Sequence, residues 1–265
     1  GAIISSIPGD FDYDGTLDLM LTVSYPSTLK LQIWRQSSSS FSVLYELEVM
    51  TQPAVADLNG DLRCEQVRLD FITNLADASG EPVPVVGIGK SSGYILKPLE
   101  EYFDTSLDCI QGPAQPLSEP HSVAYIDLNK DCIADLFLTT VDEAGKVYFE
   151  VFLNNHDGGF CRVYKEQAPN GARQVAFSDV DRNGSPDLIF QVCEGESCVY
   201  NQELHILFND NESSDTCSFD SDDISKDEFK LKDLISTVST PHKLVIIFSK
   251  SLRFFIKDPL HPMAV

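Results

Sequence analysis

Four times along this chain, side chains bearing oxygen recur at positions 1, 3, 5 and 9 of a short loop. The sets are Asp10, Asp12, Asp14, Asp18; Asp57, Asn59, Asp61, Glu65; Asp127, Asn129, Asp131, Asp135; and Asp179, Asp181, Asn183, Asp187. Oxygen ligands at alternate positions of a tight loop can wrap a hard cation, which prefers carboxylate and carbonyl oxygen at about 2.3–2.6 Å. The backbone carbonyl at position 7 (Thr16, Arg63, Ile133 or Ser185) adds a further ligand. Without a cation, three or four carboxylates this close must spread or protonate. Ca²⁺ fits better than Mg²⁺, which demands a stricter octahedron and keeps its waters.

An EF-hand begins alike but needs a closing Glu at position 12 and flanking helices. That position holds Leu21, Arg68, Leu138 and Phe190, so all four sets fail. Sets one and four carry Gly15 and Gly184 at position 6, where the turn is sharpest. Set three has Cys132 there, and set two, with Leu62 there and Arg63 and Arg68 nearby, departs furthest.

The flanks read as strands. "AIISSIP", "PAVA", "SVAYI" and "QVAFS" precede the loops, "LMLTV", "LFLTT" and "LIFQV" follow three of them, and "QVRLDF" after the second is more polar. Alternating runs such as "KLQIW", "VYFEVFL" and "ELHILFN" come next. Strand, loop, strand, turn, strand is a β-meander, and its return after 47 to 70 residues is the signature of propeller blades. The expected fold is all-β: about four calcium-loop blades over residues 1–209, then an acidic linker and tail over 210–265. The stretch 210–228 holds eight acids and one Lys and reads as disordered, whereas 243–256 is apolar but has no loop motif. A full ring of about seven blades would need roughly 350 residues, so the ring is expected to be incomplete.

The net charge of −22 repels phosphate backbones and argues against nucleic acid as a partner. Seven cysteines include no CxxC; Cys193 and Cys198 flank a Gly-containing turn that a disulfide could bridge, consistent with an oxidising compartment. Asn211 and Asn183 each open a glycosylation sequon, the second inside a proposed metal set. The five histidines are scattered without metal-ligand spacing and no GxSxG occurs, so an enzyme using acid pairs on a propeller, as glycosidases do, is the lesser alternative.

The loops resemble the FG-GAP repeats of integrin α-chain β-propellers. The blocks "IPGDFDYDGTLDLMLT", "ADLNGDL", "HSVAYIDLNKDCIADLFLTT" and "AFSDVDRNGSPDLIFQVCEGESC", in that order, are similar to the Linkin family, the integrin-α FG-GAP repeat-containing cell-surface proteins. The resemblance covers about residues 1–210. It implies the extracellular side of a type I membrane glycoprotein, with roles in adhesion and T-cell modulation through contacts with extracellular or cell-surface proteins. The chain opens at Gly1 and contains neither leader nor span, so membrane attachment is expected only through a segment missing from it. It reads as part of an ectodomain, or as a truncated isoform secreted as a soluble ligand.

Overall fold

The computed structural model describes residues 1–12, 14–37, 40–55, 70–90, 93–106, 109–154, 159–193, 203–209 and, as backbone, 231–236. The strands form four antiparallel sheets of four, each a meander in chain order. The first blade is β1 (Ala2–Gly9), β2 (Asp18–Ser24), β3 (Leu29–Ser37) and β4 (Ser40–Val49). The second is β5 (Ala54–Val55), β6 (Phe71–Ala76), β7 (Pro82–Lys90) and β8 (Gly93–Pro98). The third is β9 (Val123–Ile126), β10 (Asp135–Val141), β11 (Val147–Asn154) and β12 (Phe160–Gln167). The fourth is β13 (Ala172–Ser178), β14 (Asp187–Val192), β15 (Glu203–Asn209) and β16 (Leu231–Ser236). This is the expected propeller arrangement, a β-meander repeated four times.

Alternation along each strand sends successive side chains to opposite faces of its sheet, and both faces are used. In β10, Leu136 and Leu138 join Ile72, Val86 and Ile88 of the second blade, while Phe137, between them, joins Leu188 and Phe190 of the fourth. A third cluster joins Met20, Leu31 and Ile33 of the first blade to Phe71 of the second. The cores therefore lie between blades, and aromatic pairs such as Phe149–Phe190, 5.0 Å between centroids, cross the seams. Gly87, paired with Phe71 inside the second blade, leaves room for the ring that joins this third cluster: a Cβ there would stand 2.2 Å from it.

The chain departs from the sequence expectation in two places. The outer strand of the fourth blade is β16, which pairs with β15 although it lies beyond residue 209. The long interval before the third loop forms a strap along the outer edge of β12. Asp104 N–H donates to Phe160 O at 2.9 Å, Ile110 N–H donates to Arg162 O at 2.7 Å, and a Cys109–Cys161 disulfide bolts the strap in place. Open edges invite pairing with other chains, and the strap closes this one. Beneath it, the buried Arg162 pairs with the buried Glu150 at 3.2 Å and donates to Gly112 O and Pro113 O.

Candidate metal centres

Loops 1, 3 and 4, which join the first two strands of their blades, share one hydrogen-bond plan. The position-1 aspartate receives backbone N–H groups from further round its own loop. Asp10 Oδ2 accepts from Gly15 at 3.0 Å, Asp127 Oδ2 from Cys132 at 2.9 Å, and Asp179 Oδ2 from Gly184 at 3.0 Å. Position 5 closes the turn onto position 7: Asp14, Asp131 and Asn183 accept from Thr16, Ile133 and Ser185 at 2.7–2.8 Å. These bonds demand a left-handed backbone at position 6, supplied by Gly15 (φ 80°), Gly184 (φ 88°) and, against its own preference, Cys132 (φ 68°). Cys132 is disulfide-bonded, as is Cys193; Cys64, Cys198 and Cys217 lie outside the described residues.

The position-9 aspartates, Asp18, Asp135 and Asp187, are fully buried. One oxygen of each accepts the position-2 N–H, from Phe11, Leu128 or Val180, at 2.7–3.0 Å. The other accepts an N–H from the third strand of the blade, at Gln36, Asn154 or Asn209, at 2.9–3.0 Å. The Asn154 and Asn209 side chains also donate to the position-8 carbonyls of Ala134 and Pro186. Asn209 further reaches Leu128 O in the neighbouring loop at 2.8 Å. Sequence spacing gave no sign of these clamps, because they lie about 20 residues from the motif.

The second set falls elsewhere. Asp57, Asn59, Asp61 and Glu65 lie outside the described residues. The aspartate standing before the second strand of this blade is Asp70, buried at 2% exposure, whose Oδ1 accepts the Gly89 N–H at 2.9 Å. Asp70 thus makes the third-strand contact that Asp18, Asp135 and Asp187 make in their blades. The signal was present in "LDFITNLA", an Asp directly ahead of an apolar run, as in the other three blades.

The residues suit a hard cation. Asp10, Asp12 and Asp18 bring carboxylate oxygens within 4.8 Å of one another, and so do Asp179, Asp181 and Asp187. Loop 3 carries the neutral Asn129 at position 3, but Asp127 Oδ1 is buried there without a hydrogen-bond partner. Burial raises the pKa of Asp127 and Asp187, and pushes Asp135 up to about 8. Burial and then the Asp18 charge raise Asp12 as well. A grouping of Asp104 with Cys109 and Cys161 is no metal centre, since both sulfurs are in the disulfide.

At the opposite ends of the strands, two hairpin turns share a different plan. Asp77 Oδ1 accepts N–H bonds from Ser79 and Glu81, and Asp142 Oδ1 accepts them from Ala144 and Lys146, all at 2.7–2.9 Å.

A profile of the FG-GAP-like repeat matches residues 120–190, which span the third blade from its entry and run into the fourth. The chain thus folds into propeller-type blades and carries an FG-GAP-like repeat over these residues. It is 28% identical to the T-cell immunomodulatory protein of Homo sapiens over 208 residues, 74% of this chain. Over 207 residues it is 26% identical to that of Mus musculus, again 74% of this chain. In both cases this chain spans 30% of the relative's length. Among solved structures, a rhamnogalacturonan lyase of Bacillus licheniformis is similar at 10% identity and TM-score 0.45, covering 77% of this chain and 48% of the lyase.

Proposed function

We propose that the chain is a calcium-stabilised, non-catalytic recognition module from the extracellular part of a cell-surface glycoprotein that takes part in adhesion and T-cell modulation. The observation that carries this reading is the three-fold recurrence of one carboxylate and N–H plan, with aspartates buried where their charge costs stability unless a cation offsets it. Asp10, Asp12, Asp14 and Asp18 would hold one Ca²⁺; Asp127, Asn129, Asp131 and Asp135 a second; Asp179, Asp181, Asn183 and Asp187 a third. In the second blade the holders would be Asp57, Asn59, Asp61 and Glu65, with Asp70 a further carboxylate at the head of β6. When bound, the ion supplies positive charge and cross-links each loop to its sheet. The aspartates are structural in this reading and do no chemistry on a substrate.

Two further observations support it. The likeness to the T-cell immunomodulatory proteins runs through these blades, and the disulfides suit an oxidising compartment. The partners are extracellular or cell-surface proteins, met through surfaces away from the metal loops, such as the Asp77 and Asp142 turns. No helix among the described residues is long and apolar enough to cross a membrane, so anchoring would need a segment outside them.

The test is thermal unfolding with Ca²⁺ and with chelator. A ligand that binds only the folded state stabilises it by mass action, about 2.7 kcal/mol per site at a hundred times Kd. A large upward shift in calcium is expected. Identical melting curves would remove the metal from the proposal.

A further inference from the structure

Loop 1 differs from loops 3 and 4 in having its carboxylates paired with a cation: Lys130 and Arg182, carried within those loops, make no ion pair among the described residues, whereas Arg35 of β3 does. The guanidinium of Arg35 spans two of its ligands, with Nε 2.7 Å from Asp12 Oδ2 and Nη2 3.3 Å from Asp14 Oδ2. The opposite oxygens of these carboxylates already accept hydrogen bonds, Asp12 Oδ1 from Asp14 N–H and Asp14 Oδ1 from Thr16. Arg35 therefore holds the remaining oxygen of each. Among the described residues, the carboxylates of loop 4 make no ion pair. Lys130 Nζ, which reaches loop 4 from loop 3, donates instead to the backbone oxygen of Asn183 at 2.8 Å.

The register across the blades makes Arg35 singular. It directly precedes Gln36, the residue whose N–H caps Asp18. The residues preceding the corresponding caps, Gly89, Asn154 and Asn209, are Ile88, Leu153 and Phe208. Ile88 and Leu153 are buried, whereas the Arg35 side chain is 46% exposed. Three blades place an apolar side chain where the first places a charge, and that charge lies beside the set with four carboxylates rather than three.

We propose that Arg35 is a tethered counter-cation that competes with calcium for Asp12 and Asp14, making loop 1 the weaker site and loop 4 the tighter. This rests on the calcium reading above. Entry of the ion into loop 1 requires the guanidinium to let go of both oxygens, a cost loop 4 does not bear. Without the ion, Arg35 offsets part of the repulsion in loop 1 and keeps the loop shaped. Because the guanidinium is half exposed, although the Asp12 side chain is only 5% so, salt weakens the pair and narrows the gap between the two sites.

The test is calcium titration of the full chain by calorimetry, with terbium luminescence as a second readout. Wild type and Arg35→Gln are compared, each also in a background where Asp57→Asn and Asp61→Asn, Asp127→Asn and Asp131→Asn, and Asp179→Asn and Asp181→Asn disable the other three sets, leaving loop 1 alone. Arg35→Gln should tighten the site that survives in that background by about two- to fivefold, the range an ion pair with one exposed partner supplies. The gain should shrink in 0.5 M salt, and the calcium-free form of Arg35→Gln should melt lower than wild type. Arg35→Lys, which keeps the charge but loses the fork, should fall between. If calcium binds and Arg35→Gln leaves the loop 1 affinity unchanged or weaker, the counter-cation role is wrong while the calcium reading stands. If no variant binds calcium although each gives the wild-type β-sheet spectrum, the calcium reading itself has failed.

Discussion

The two ends of the sheets use the same side chain to opposite effect. At the turn end, Asp77 and Asp142 each stand alone and each collects hydrogen bonds from its own turn. Their pKa values are lowered, Asp77 chiefly by the Ser79 hydroxyl and Asp142 chiefly by the Lys146 N–H. At the loop end, Asp127, Asp135 and Asp187 also collect N–H bonds, yet burial outweighs them and their pKa values rise. Two or three N–H dipoles satisfy one exposed carboxylate, but they do not offset burial of a carboxylate that has others beside it. One end is complete as built; at the other, the proposed cation would offset the buried charge.

The largest effect that can break this contrast is calcium removal. With two or three loops loaded, chelation should lower the melting temperature by roughly 10 °C or more, given a few degrees per kcal/mol for a chain of this size. Differential scanning calorimetry reads it. A melting temperature indifferent to chelator would erase the difference between the ends.

The pH dependence comes next, and its sign should invert with the metal. In chelator, the folded-state pKa of Asp135 lies well above its unfolded value, so its stabilising contribution is complete below about pH 4 and lost as pH rises through about 8. Melting temperature should therefore fall between pH 6.5 and 8.5 without calcium. With calcium it should hold or rise over the same span, because the ion needs deprotonated ligands. His121 acts the other way at lower pH: burial lowers its pKa, so the stability it contributes is present above about 6.5 and lost on acidification. A calcium-free melting temperature that rises from pH 6.5 to 8.5 would contradict the buried-acid picture.

Substitutions sharpen the same comparison. Asp135→Ala strips acceptors from the Leu128 and Asn154 N–H groups and empties a buried space, which should cost about 2–5 kcal/mol in urea unfolding. Asp70→Ala should lose a similar amount if that residue is the second blade's counterpart; a loss no greater than that of a surface substitution would remove it from the set. The smallest effect is expected at the turn end. Asp77→Ala and Asp142→Ala should each lower the melting temperature only slightly, and equally with and without calcium, since these turns are exposed and self-sufficient. A calcium-dependent loss at either would mean the ends are coupled.

Much of the architecture was legible in the sequence because it is written locally. Ligand spacing places Asp10 to Asp18, Asp127 to Asp135 and Asp179 to Asp187 on short loops, and alternation marks "LMLTV", "LFLTT" and "LIFQV" as strands that each loop feeds. Local geometry fixes both, since a turn of nine residues closes on itself and a strand alternates by twos. What the sequence left undecided depends on residues distant along the chain. Asp70 went unnoticed because position relative to the strand, not the count from Asp57, decides which carboxylate meets the third-strand N–H. Asn154, Asn209 and Arg35 reach the loops only because the meander folds the third strand back beside them. The Cys109–Cys161 bond spans 52 residues and follows from the strap lying against β12. Spacing along the chain set which atoms could form a loop, and the stacking of sheets set which distant groups would share its charge.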